Sequence, residues 1–186
     1  MRTVYRVLCV LGLALVLAGC STANMVNLKY KPVSEAGTCN GSVTVIKFAD
    51  ARGKDMIGQK SDGTYYYSVQ PVGEWVSKAF FEELKKTGCA MNWSEQDFNS
   101  DTEYKLTGTI KDIWLKESSL TDYSARMAVN VVLTRGGTKV YEENLYSNVS
   151  KTTTPGSSNS SDILQDALQD LIKTAMPAIK KRMGME

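Results

Sequence analysis

Apolar positions along this chain follow three kinds of pattern: an unbroken run at the start, two stretches with helical spacing, and several that alternate. The run is Val7 to Leu17, interrupted only by Gly12. Helical spacing comes first from Pro71 to Thr87, where Val72, Trp75, Val76, Ala79, Phe80 and Leu84 recur on one face. Glu74, Lys78, Glu82, Glu83, Lys85 and Lys86 cover the rest of that helix. Pro71 suits its first turn, and Gly88 stands where a left-handed cap is wanted. The same spacing returns after Ser161 or Asp162, either of them a good N-cap. There Ile163, Leu164, Ala167, Leu168, Leu171, Ile172, Ala175, Met176 and Ile179 form one stripe. Acids lead this helix and Lys180, Lys181 and Arg182 close it, in the sense the helix dipole favours. Pro177 is expected to kink it or to end its regular part.

The remaining apolar stretches predict strands. Ser42 to Ala49 is β-rich and apolar on both faces at its centre, which places it inside a sheet. Cys89 to Ser94 is a second short strand, and the helix between the two makes a β-α-β crossover. Three longer strands follow as a meander: Tyr104 to Lys116, Tyr123 to Arg135 and Lys139 to Thr153. The middle one alternates cleanly. Tyr123, Ala125, Met127, Val129, Val131 and Leu133 face one side, and Ser124, Arg126, Ala128, Asn130, Val132 and Thr134 face the other. Gly136-Gly137 is a tight-hairpin signal, and the returning strand sets Tyr141, Leu145 and Val149 on one face. Such splitting predicts a sheet with one buried and one wetter side. Asp50 to Gln70 reads as a long glycine-bearing connection in which Tyr65-Tyr66-Tyr67 is a candidate short strand. The expected fold class is α+β: a two-layer α/β sandwich, its mixed sheet of about five strands carrying two helices on one face. The length suits one such domain, over residues 39–186.

The opening run is too short to cross a bilayer, which takes ~20 apolar residues. With Arg2 and Arg6 before it and small residues after it, it reads as an export signal over residues 1–19. Leu17-Ala18-Gly19-Cys20 resembles the lipobox of bacterial lipoproteins. That resemblance implies cleavage before Cys20, diacylglycerol on its thiol, and attachment to the membrane through that lipid. Residues 20–38 are then a lipidated N-terminus and tether, in which Met25, Val26 and Leu28 either form a short strand or rest on the core. Ser21 follows Cys20 where inner-membrane lipoproteins often carry Asp, so the resemblance implies the periplasm-facing side of the outer membrane.

Composition narrows the chemistry. The chain carries 22 Lys plus Arg against 20 Asp plus Glu, and loss of Arg2 and Arg6 with the signal levels the two. A balanced surface argues against a nucleic-acid partner, which needs a clustered basic excess. There is no histidine, hence no Ser-His-Asp triad and none of the commonest zinc ligand. Of four cysteines, Cys9 leaves with the signal and Cys20 takes the lipid. Cys39 and Cys89 remain for an oxidising compartment, each at the start of a strand of the crossover, and a disulfide between them is expected. The competing reading is two separately buried thiols.

Taken together, Phe48-Ala49-Asp50-Ala51-Arg52, the Trp75 to Cys89 helix with its glycine turn, Tyr123 to Thr134, and the strand, Ser/Asn loop and helix from Asn148 to Ile179 resemble the YajG-like lipoproteins. The Cys39 and Cys89 pair is not a mark of that family. The resemblance implies an envelope lipoprotein with no catalytic residues, no cofactor and no metal. The first functional expectation is a non-enzymatic accessory protein for assembly or transport. It would dock an envelope protein partner on the wet sheet face, represented by Arg126 and Asn130. The alternative is a binding module for a small molecule, lipid or glycan, its site lined by Tyr65, Tyr66, Tyr67, Trp93 and Trp114. An enzyme would need Asp50, Asp55 or Asp112 to pair as acid and base, and no spacing brings two of them together.

Overall fold

The computed structural model describes residues 24–97, 101–154 and 159–185. Among the described residues nine strands form one mixed sheet: β1 (Met25–Val26), β2 (Ser42–Ile46), β3 (Ala49–Asp50), β4 (Met56–Gln59), β5 (Tyr65–Ser68), β6 (Ala90–Ser94), β7 (Tyr104–Glu117), β8 (Asp122–Arg135) and β9 (Thr138–Thr152). Two helices, α1 (Val72–Lys86) and α2 (Asn159–Arg182), complete the described fold. None of the described helices is long and apolar enough to cross a membrane.

Strand β7 organises the sheet. Along one side it pairs with β8 over its whole length, and β8 pairs with β9, the antiparallel meander expected. Along its other side β7 takes three short parallel partners in succession. Val43–Val45 meet Tyr104–Leu106, then Ala49–Asp50 meet Thr109–Ile110, then Gly58–Gln59 meet Leu115–Lys116. Beyond these, β6 pairs with β2 in parallel, and β5 joins β4 as a hairpin with β1 outside it. The expected sheet of about five strands is therefore corrected to nine. The difference lies in the 50–70 connection and the N-terminal segment, where pieces of two to four residues are held by pairing rather than by a pattern of their own. Gly58 shows why this stretch reads as loop. A Cβ there would stand 2.2 Å from the Leu115 carbonyl oxygen, so the close approach of β4 to β7 requires a residue with no side chain. The expected strand from Ser42 to Ala49 is likewise two strands, parted at Lys47 and Phe48.

Phe48 leaves the sheet to fill the core. Its ring lies over Gly108 of β7, where a Cβ would come within 2.5 Å of it, and it meets Phe80 of α1 with ring centroids 5.5 Å apart. Gly108 shares its face with Val131, its partner on β8, so α1 packs on the side where Met127, Val129, Val131 and Leu133 are buried. Helix α2 covers β8 and β9 on the same side, with Leu164, Leu168, Leu171 and Ile172 fully buried. The helices thus share one face. Helix α2 starts at Asn159, earlier than the expected cap, and it continues through Pro177 to Arg182 rather than ending there.

Cys39 and Cys89 form a disulfide, with Cα atoms 4.6 Å apart. Parallel pairing of β2 and β6 brings both to one edge, since Ala90 donates to the Gly41 carbonyl just beyond the bridge. Cys20 lies outside the described residues. Of the alternatives for Met25, Val26 and Leu28, both are realised: Met25–Val26 pair with β5, and Val26 and Leu28 are buried. The segment expected as tether is bound to the domain from there on. Trp75 Nε1 donates to the Lys29 carbonyl at 2.9 Å, and Gln169 Nε2 to that of Lys31 at 2.7 Å.

This segment also corrects the reading of Glu83, expected on the solvated side of α1. It is fully buried, because residues 30–34 cross that side. Its Oε1 accepts from the Tyr30 hydroxyl and from Val33 N at 2.7 Å, and its Oε2 from Ser34 N at 2.8 Å. Burial pushes the carboxyl up, but the bonds from Ser34, Tyr30 and Val33 outweigh it and hold it below the usual Glu range. A depressed folded value means stability that is present above the unfolded value and lost as pH falls through the folded one. Glu83→Gln is expected to cost about 1–3 kcal/mol at neutral pH, since an amide keeps only one of the two acceptors. Its stability is also expected to be flatter than wild type on the acid limb, and denaturant melts across that limb check both.

Candidate functional site

Clean alternation on β8 delivers the face that neither of the described helices covers. Arg126 sits opposite Trp114 on β7 and Asn148 on β9, and Asn130 sits opposite Thr109 and Asn144. Between them Ala128 faces Asp112 and Tyr146. A register shift between Ile110 and Asp112 sets this arrangement. The extra residue at Lys111 lets Ile110 and Ile113 both stay in the core while Asp112 and Trp114 join the open face.

Around Trp114 the charges are ordered. Arg126 Nε donates to Asp112 Oδ2 at 2.6 Å, and Lys54 Nζ to Asp112 Oδ1 at 3.3 Å. The same two cations flank the indole, Lys54 Nζ at 4.4 Å and the Arg126 guanidinium at 5.9 Å from its centroid. Tyr65 meets the ring edge-on, centroids 6.4 Å apart. Partial burial raises the Asp112 carboxyl, and Arg126 and then Lys54 more than reverse it, leaving it below the usual Asp range. Ion pairs this exposed add little to stability, roughly 0–1 kcal/mol. What they do is hold two cations and an indole in one defined surface.

Further along, Asn130 Nδ2 donates to Asn144 Oδ1 at 3.2 Å, and Lys111 Nζ donates to the same oxygen at 2.7 Å. Tyr146 rises between this polar pair and Arg126 and is 70% exposed. Arg126 and Asn130 thus lie on the open face, at whose centre stand Trp114 and Asp112, expected in other roles, together with Lys54 and Tyr146, which no expectation named. Tyr146 was open to reading, since a return strand with Leu145 inward turns its neighbour outward. Lys54 carried no such signal, because it arrives from a loop.

The five aromatics read as a ligand site are divided. Tyr66 is buried in the core with its hydroxyl on Glu117, which also accepts from Ser61 Oγ at 3.0 Å. Burial, and then that carboxylate, push the Tyr66 phenol above its ordinary range. Trp93 lies on β6 beneath Lys78, whose Nζ is 5.1 Å from its ring. Only Tyr65 and Trp114 meet. Of the carboxylates weighed for acid–base work, Asp50 is clamped by Arg52 at 2.7 Å and Asp112 by Arg126 and Lys54. Among the described residues no group of three His, Cys, Asp or Glu could hold a metal ion.

No protein-family model matches the chain, and no curated protein matches it in sequence. Solved structures do resemble it. One is a Xanthomonas campestris protein of the DUF330 family, with a TM-score of 0.58 at 13% identity over 86% of this chain and 96% of that one. An uncharacterised protein aligns at 0.54 and 13%, over 81% and 99% of the two chains. PelC of Paraburkholderia phytofirmans, a dodecamer, aligns at 0.49 and 11%, over 84% and 98%. At such identities what the chain shares with the first two is a fold: a mixed α+β architecture with an open sheet and two helices.

Proposed function

We propose that this chain is an outer-membrane lipoprotein, anchored through Cys20, that works without catalysis by docking an envelope protein on the open face of its sheet. The observation that carries the docking half is the uncovered surface of Trp114, Arg126 and Tyr146. Arg, Trp and Tyr are the residues most enriched where binding energy concentrates, and here they stand together around an ordered cluster of cations and amides. The anchoring half rests on the Leu17 to Cys20 lipobox and on the resemblance to the YajG-like lipoproteins. Absence of histidine and the engagement of Asp50 and Asp112 by cations support the non-enzymatic reading. A small-molecule site is disfavoured because its expected lining is split between core, edge and open face.

A photoreactive residue placed at Asn130 or Tyr146 in intact cells tests the docking. One protein is expected to be trapped from both positions, and Arg126→Glu is expected to abolish the adduct. That variant should hold its stability to within about 1 kcal/mol, because the pair it breaks is on the surface. It should cost the complex ~2 kcal/mol or more if Arg126 is an anchor of the interface. Loss of several kcal/mol of folding stability, or no adduct at either position, would count against the reading.

A further inference from the structure

Six large apolar or aromatic residues are exposed among those described, and four of them, Met25, Tyr65, Tyr67 and Val69, cluster on β1, β5 and the residue after it. Three are contiguous. Met25 is the register partner of Tyr67, and Val69, 60% exposed, follows on the same side, its amide bonded to the Val26 carbonyl at 3.0 Å. They border an open groove of about 440 Å³ that Pro71 and Val72 also line. Its charged residues are Asp50, Arg52 and Asp55, of which the first two pair with each other. An exposed Val and Met beside a Tyr, with little net charge, are the composition of a surface that meets an apolar medium at its polar boundary.

Chain length says what that medium is. Five residue steps separate Cys20 from Met25, and a fully extended chain spans at most ~3.6 Å per residue, so Met25 is within ~18 Å of the lipidated sulfur. Acyl chains hold that sulfur below the headgroups, a layer of roughly 5–7 Å per leaflet. The remaining reach is on the order of 10 Å. We infer that Met25, Tyr67 and Val69 form a membrane-contacting patch that seats the domain on the lipid surface, so that it does not hang free on its anchor. This inference rests on lipidation of Cys20. The seating uses apolar contact rather than charge, and it adds to the anchor an orientation that the acyl chains alone do not impose.

The test uses the full lipidated protein in vesicles of phosphatidylethanolamine and phosphatidylglycerol. Val69→Cys provides a labelling thiol, since Cys39 and Cys89 are bonded to each other and Cys20 carries the lipid. Val69 is exposed, so the substitution leaves the core untouched; Met25→Cys supplies a second, independent position. The control is Thr138→Cys. Thr138 pairs with Arg135, level with Tyr104 of β7, whereas Met25 and Tyr67 are level with Met56, two residues before the Gly58 that meets Leu115; the labels thus lie about 7–9 residues or ~23–30 Å further along the strand direction, across the sheet from β9. An environment-sensitive fluorophore at 69 and at 25 is expected to shift to the blue and to be quenched at least twofold by brominated lipid, while the label at 138 stays as in water. Intact mass of the same sample reports the acyl chains. A lipidated protein whose labels at 69 and 25 behave like that at 138 overturns the seating and leaves the anchor standing. A chain recovered without acyl groups overturns the anchor, and the inference with it.

Discussion

Replacing Cys39 and Cys89 together by alanine is expected to lower the unfolding free energy of the domain by roughly 4 kcal/mol. The figure follows from loop closure. The bridge spans a sequence separation of 50 residues, and a cross-link of that span removes conformational freedom chiefly from the unfolded chain. That loop contains β2 to β5 and all of α1, so the bridge ties the first strand of the crossover to the strand the helix delivers. Cys89 also packs against the C-terminal end, its Sγ 3.7 Å from Met185 Sδ, so the variant loses packing there as well. Guanidinium melts of the oxidised wild type and the double variant check the prediction. Equal midpoints would show that the bridge adds nothing to the stability of the crossover.

Leu171→Ala is expected to cost ~2–5 kcal/mol, enough to lower Tm by roughly 5–15 °C in a domain of this size. Leu171 has no exposed surface, and with Leu164, Leu168 and Ile172 it fills the layer between α2 and the buried face of β8 and β9. Removing three carbons leaves a cavity in a layer made of a rigid long sheet and a 24-residue helix, which collapse poorly around it. Calorimetry of the variant decides. An unchanged Tm would mean that α2 is peripheral to the fold and free for other contacts.

The parts of this molecule that were legible in its sequence are those whose apolar pattern is long and regular. Alternation over Tyr123 to Arg135 identified both faces of β8, and the stripes of α1 and α2 are the residues the structure buries. Placement of Arg126 and Asn130 on the open face follows from that alternation alone. What escaped depends on distant partners. β3 and β4 are too short for a period of their own and exist because β7 offers them hydrogen bonds. Glu83 belongs by spacing to a solvated helix side, and only the passage of residues 30–34 over it, some fifty positions upstream, makes it an interior acceptor. The centre of the open face escaped for the same reason. Lys54 comes from a loop, and Asp112 and Trp114 turn outward only because of the extra residue at Lys111.

If this domain works at a membrane through lipid on Cys20, the mass of its mature N-terminus shows it. Protein extracted from the outer membrane should begin at Cys20 and carry diacylglycerol on the thiol and a third acyl chain on the amine. Each buried methylene contributes ~0.8 kcal/mol, so three such chains hold the domain effectively permanently. Cys20→Ser should accumulate as uncleaved precursor that still contains residues 1–19. A wild-type chain that starts elsewhere with an unmodified Cys20, or a Cys20→Ser chain that is processed and recovered in the membrane like wild type, would show that lipid on Cys20 does not hold the domain there.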